Sequence, residues 1–338
     1  MFIFVIISIM LCLYKIDFRK NEAVLSKNDT LMVNGIFTLL IFLSHCTQYF
    51  KLDQSMMDML YGKFQTYHGQ LVVTTFLCFS GYGVMYQIMK NPKYLNTFKK
   101  NRIFKTLLNF DIAIGLYYIV GLILNKNYKL QTVLLSLIGY KSIGNSNWYI
   151  FTILIMYILT YICSKVLKKD NLIALGITVM TFGYIYICKD VFNLPARFYS
   201  TVLCYPFGVY LCLYKDAILS FIKKYFIIIL ALSLFICFKT YGLRKDIYIM
   251  NIHSIFFVLL IVIALTKIKI GNHLIAFLGQ HSFSIYILQR IPMIFISMYL
   301  SAYNKYLLIV LSFVLTAIIA VIFDEFTEKL FKKINQFI

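Results

Sequence analysis

A histidine stands at the end of the apolar run NGIFTLLIFLSH, residues 34–45. A neutral imidazole is well matched to taking a proton from a hydroxyl near pH 7, so His45 is a candidate general base. Asn34 precedes it by eleven residues. In an α-helix that spacing is about three turns plus 20°, with about 16 Å of rise, so the two polar groups share one face at different depths. A lone histidine on an apolar face is commonly a packed structural residue. The polar track shared with Asn34 is what sets this one apart.

Other chemistry-bearing residues fall into small groups. Lys99, Lys100, Arg102 and Lys105 crowd the stretch FKKNRIFK. Such a cluster suits phosphates, with the Arg102 fork able to make paired contacts, but basic loops also set topology and meet anionic lipids. Asp111 and Arg290 lie inside apolar runs, where a charge is costly and marks either a functional group or a structural ion pair. Ser80 and Gly81, in FLCFSGYG, can border a channel. Gly83 reads as packing, the usual role of small residues between membrane helices. His68 and Trp148 lie at the ends of apolar runs on the His45 side, where they face a polar substrate or belong to the interface. Tyr149 and His253 are read in the same way, whereas His273 and His281 read as solvated or capping residues at the opposite side.

These residues are carried by a chain that is 61% hydrophobic and only 14% charged, against roughly a quarter charged in soluble domains. Eleven apolar runs can be drawn: 1–14, 33–50, 70–89, 106–124, 148–164, 171–188, 199–214, 225–239, 251–266, 281–299 and 305–323. They are continuously apolar, not alternating, which excludes a barrel and predicts an all-α polytopic membrane protein. Met1–Tyr14 lacks a basic leader and a cleavage site and reads as a retained helix. The chain therefore divides into an extra helix and basic loop over 1–30 and a membrane core over 31–338. Residues 131–140 are too short to span and read as interfacial. The cysteines show no metal-ligand or redox spacing, so no metal site is expected.

The net charge of +20 does not call for nucleic acid. Of the 33 lysines and arginines, 21 lie in the loops 15–32, 90–105, 165–170, 215–224 and 267–280 and in the tail from 324, against 11 at the alternate ends. The positive-inside rule then places the N-terminus outside and the C-terminus in the cytoplasm, with His45 toward the outer half.

Four motifs, in order, resemble the integral membrane acyltransferase family 3. NGIFTLLIFLSH resembles that family's arginine–ten residues–histidine helix, with Asn34 in place of the arginine. FLCFSGYG at 76–83 resembles the next helix, and the basic FKKNRIFK follows it. LGQHSFSIYILQRIP at 278–292 resembles a late family motif, with Gln289 where the family has a histidine and Arg290 next to it. NSNWYIFTILIMY at 145–157 matches an aromatic helix entry. The family core has ten helices with both ends cytoplasmic, which is what remains when 1–14 is set aside.

The resemblance implies transfer of an acyl group, usually acetyl, from cytoplasmic acyl-coenzyme A to a hydroxyl of a surface polysaccharide or lipid-linked saccharide at the plasma membrane. His45 and Asn34 then fall at the catalytic motif, Arg102, Lys99, Lys100 and Lys105 at the acyl-coenzyme A phosphates, and His68 and Trp148 on the acceptor side. Acetyl-coenzyme A is a donor substrate, and no permanently bound cofactor is expected. Membrane lipids are the other partners. Two other readings fit a basic polytopic chain: a polysaccharide transporter or polymerase, and a non-catalytic relative suggested by Asn34 and Gln289.

Overall fold

A computed structural model describes residues 6, 7, 10, 14–18, 21 and 23–337, so the expected helix over 1–14 lies largely outside the described residues. Helix α1, Lys27–Cys46, opens on a capping box. The Ser26 hydroxyl accepts from the Asp29 amide at 3.1 Å, and the Asp29 carboxylate accepts from the Ser26 amide at 3.2 Å. The Asn21 amide also donates to Asp29 at 3.1 Å. This cap starts the helix at Lys27, ahead of the apolar run, because its first turn is polar.

Helix α2, Met56–His68, leads through a 3-10 turn, Gly69–Val73, into α3, Thr74–Lys90. Residues 51–69 read as a loop from hydropathy. The structure corrects this, because Ser55 caps α2 and Asp58 in its first turn is buried against Lys305 and the Asp53 amide. A short α4, Tyr94–Phe98, runs through a π-helical turn, Lys99–Phe104, into α5, Lys105–Ile123. Then come α6, Leu130–Leu137, α7, Trp148–Val166, α8, Asp170–Tyr186, and α9, Cys204–Leu213. Helices α10, Lys215–Lys224, and α11, Phe226–Tyr241, are bent 97° from one another. The remainder is α12, Ile247–Leu265, α13, His273–Gln280, α14, Ser282–Leu288, α15, Arg290–Tyr299, and α16, Lys305–Phe337. A two-residue antiparallel ladder pairs β1, Ile16–Asp17, with β2, Lys269–Ile270.

Among the described residues, seven helical stretches are long and apolar enough to cross a membrane, or eight if the bent pair is one span. The all-α polytopic expectation therefore stands, while two expected spans take other forms. The run 199–214 yields only the ten-residue α9, about 15 Å long, half of a hydrocarbon core of about 30 Å. The run 281–299 is two helices broken at Gln289. Pro292 offers no N–H and its ring crowds the carbonyl one turn earlier, at Leu288, which ends α14 there.

Two helix crossings fix the interior. A Cβ at Gly81 on α3 would overlap the Tyr205 carbonyl of α9, and one at Gly208 on α9 would overlap the Cys78 carbonyl of α3. Likewise Gly35 on α1 meets the Ile275 carbonyl of α13, and Gly279 on α13 meets the Leu31 carbonyl of α1. Each crossing is thus a reciprocal glycine contact, the close backbone approach that small residues permit between membrane helices. Asn34 adjoins one crossing and Ser80 the other.

Candidate functional site

Two cavities lie end to end between α1, α3, α7 and the broken α14–α15 pair. One, of about 330 Å³, is lined by Thr30, Asn34, Ser80, Gly83, Arg102 and Tyr157, with aromatic walls from Phe76, Phe79 and Tyr149. The other, of about 310 Å³, is lined by His45, Gln48, Gln70, Asn147, Arg197 and Arg290. Ile41, Val73 and Tyr286 border both. The helix face predicted for Asn34 and His45 is therefore real. Asn34 opens on the first cavity, Ile41 on both, and Ser44 and His45 on the second.

His45 is half-buried, and its Nδ1 has no hydrogen-bond partner. Its ring lies 6.3 Å from that of Tyr286, and Gln289 and Arg290 are beside it. They stand at the junction of α14 and α15, where the Gln289 N–H still bonds the Ile285 carbonyl at 3.0 Å. Arg290 also lies against Tyr49 and Tyr117. It lines the His45 cavity and Asn34 the other, so Arg290 does not stand in for an arginine at position 34.

Of the four clustered cations, Arg102 alone lines a cavity, held by its Nε donating to the Tyr94 hydroxyl at 2.9 Å. The π-helical turn that carries it inserts an extra residue per turn and so separates it from its neighbours. Lys105 pairs with Glu328 at 2.6 Å, Lys99 lies over the Tyr161 ring at 5.4 Å, and Lys100 is half-buried on the same turn without reaching the cavity. Ser80 lines the first cavity, but Gly81 is corrected from channel to packing because the Tyr205 backbone occupies the space a side chain would take. Gly83, read as packing, meets nothing within 4 Å and lines the cavity instead.

Trp148 lines the His45 cavity, whereas His68 lines neither. Its Nδ1 is 2.7 Å from the Phe64 carbonyl and its ring lies 4.5 Å from that of Phe64, tilted by 53°, so it locks the end of α2. Asp111 is half-buried outside both cavities. His253 is buried against the Thr240 hydroxyl at 2.7 Å, joining α11 to α12. His281, 2.5 Å from Asp324, ties α14 to α16 together with Ser284.

Sequence reading missed Arg197 and Gln70, and it quoted the NSN of the loop before α7 as part of a helix entry without foreseeing its place in the cavity wall. In that loop the Ser142 hydroxyl donates to the Asn145 carbonyl at 2.7 Å, and the Asn147 amide donates to the Gly139 carbonyl at 2.8 Å. These bonds shape NSN into a wall of the second cavity. Nothing local distinguishes such amides from ordinary loop residues; their role comes from the fold.

A family model described as an acyltransferase domain matches residues 33–325, a range that holds every lining residue of the two cavities except Thr30. No curated protein and no solved structure matches the chain.

Proposed function

The chain belongs to acyltransferase family 3 and is a membrane acyltransferase, and we propose that it moves an acetyl group from cytoplasmic acetyl-coenzyme A to a hydroxyl of a cell-surface polysaccharide or lipid-linked saccharide at the plasma membrane. The observation that carries this reading is the pair of cavities meeting at Ile41, Val73 and Tyr286. A donor entering past Arg102 and an acceptor entering past Trp148 would meet there without sharing an entrance.

In this reading the Arg102 end faces the cytoplasm, and its guanidinium takes a phosphate of the donor. The acyl group lies along Phe76, Phe79 and Tyr149 toward Tyr286. The open Nδ1 of His45 removes the acceptor hydroxyl proton as the oxygen attacks the thioester carbonyl. The new ester forms, the C–S bond breaks, and the thiolate leaves and is protonated. Arg290, on the wall of the His45 cavity, offers a donor to the oxygen that becomes negative in between, a stabilisation typically stronger than the proton transfer itself.

The test is acetyl transfer by the full chain in proteoliposomes, using labelled acetyl-coenzyme A and saccharide acceptors. Alkali-labile label on saccharide is expected, and His45→Gln should lower its formation about 10²–10⁴-fold, the usual cost of a lost general base. Full activity in His45→Gln would make His45 structural. Failure of acyl-coenzyme A to donate to any saccharide would overturn the donor and acceptor assignment.

A further inference from the structure

The cavity that receives His45 holds two guanidinium groups, Arg197 and Arg290, and no carboxylate among its described lining residues. Two cations near the ends of the bundle are matched by carboxylates: Lys105 by Glu328, and Lys305 by Asp53 and Asp58. Arg290 is not. Its Nε is buried without a hydrogen-bond partner, at a depth where an unmatched charge is costly.

Arg197 is exposed, yet its backbone is held firmly. It lies on a 3-10 turn, Ala196–Phe198, whose last carbonyl accepts from the Thr152 hydroxyl at 2.8 Å and the Tyr184 hydroxyl at 3.0 Å. The Ser200 hydroxyl donates to Gln70, another wall residue, at 2.6 Å. Tyr286, at the junction of the cavities, shares this cavity's wall with both arginines. Two like charges on the wall of one cavity repel each other, a repulsion that a bound anion relieves, and the forked donors of arginine suit a carboxylate or phosphate.

We propose that the acceptor carries an anionic group, a carboxylate or a phosphate, close to the hydroxyl it offers, and that Arg197 and Arg290 hold this group while the hydroxyl meets His45. The inference rests on the acyl-transfer reading for the hydroxyl but not for anion binding, which is measurable alone. Trp148, the single tryptophan of the chain, lines the same cavity and reports on its occupant by fluorescence.

The full chain in lipid nanodiscs would be titrated with chitotetraose as a neutral probe, and with a hyaluronan tetrasaccharide and a glycerol phosphate trimer as carboxylate and phosphate probes. At least one anionic probe should perturb Trp148 at concentrations about ten- to a hundredfold lower than chitotetraose, the scale of a charge-assisted contact. That preference should shrink with added salt and collapse in Arg197→Gln, with Arg197→Lys retaining part of it. Whichever anionic probe binds tells carboxylate from phosphate. Equal binding of neutral and anionic probes, or a preference that survives Arg197→Gln, would overturn the proposal. Acetyl transfer to chitotetraose with no anionic preference would defeat this inference alone. Anion binding dependent on Arg197, with no transfer from acyl-coenzyme A, would leave it standing and defeat the transfer reading.

Discussion

Arg102 donates through Nε to the Tyr94 hydroxyl and lines the aromatic-walled cavity, so that bond engages Nε and not the two terminal nitrogens. If those nitrogens take a donor phosphate, Arg102→Ala should raise the apparent KM for acetyl-coenzyme A about ten- to a hundredfold while the acceptor KM changes little. Arg102→Lys should recover part, since an ammonium keeps the charge but not the fork. Lys105→Ala should have a smaller effect, because its charge is already engaged by Glu328. Equal donor and acceptor losses in Arg102→Ala would point to collapse of the π-helical turn instead. At this scale the sequence grouped four cations and favoured Arg102 for its fork, and of the four it is Arg102 that lines a cavity. Clustering is visible in one dimension, whereas the extra residue in the turn that aims Arg102 inward is not. Arg197 was missed for a related reason: a lone arginine in a loop carries no local signal until the fold sets it on a cavity wall with Arg290.

The two reciprocal glycine crossings set how far apart the cavity walls stand. In α9 and α3 the backbones approach so closely that the Cβ of Gly208→Ala would overlap the Cys78 carbonyl, and neither main chain can yield cheaply. Overpacking of this kind typically costs about 1–3 kcal/mol or more. Gly208→Ala should therefore lower the melting temperature of the detergent-purified protein and reduce acyl transfer with it. Gly183→Ala, in α8 with open space around it, should be neutral or slightly stabilising, since alanine is the better helix former. Similar melting temperatures for the two variants would mean that the α3–α9 crossing can open without loss. The apolar runs of the sequence located most of these elements, and the ordered motifs resembling family 3 were borne out by the match over 33–325. Hydropathy measures apolar length, and three features escape it. The buried Asp58 ties α2 into the fold as a helix, α9 stops at half a membrane's thickness, and Pro292 breaks the late helix at Gln289.

Among the described residues, the ion pairs between distant elements gather at two opposite ends of the helices. Lys105–Glu328 and His281–Asp324 hold one end, where Thr30 and Arg102 also sit. Lys305 with Asp53 and Asp58 holds the other, where α16 begins and α2 turns. Helix α16, with 33 residues, is about 50 Å long, so it extends well past a hydrocarbon core of about 30 Å and carries its charged last turns with it. Loop 90–105 and these last turns share one end, joined by the Lys105–Glu328 pair, and both belong to the loop set that carries 21 of the 33 basic residues. That end should be cytoplasmic. In a background with the native cysteines replaced, an impermeant maleimide added to intact cells should label Lys51→Cys at once. Asn101→Cys should react only after the membrane is opened. Both positions are exposed in the fold, so access to each is decided by the membrane alone. The reverse pattern would invert the molecule, put the Arg102 cavity outside beyond reach of cytoplasmic coenzyme A, and end the donor assignment while leaving the fold untouched.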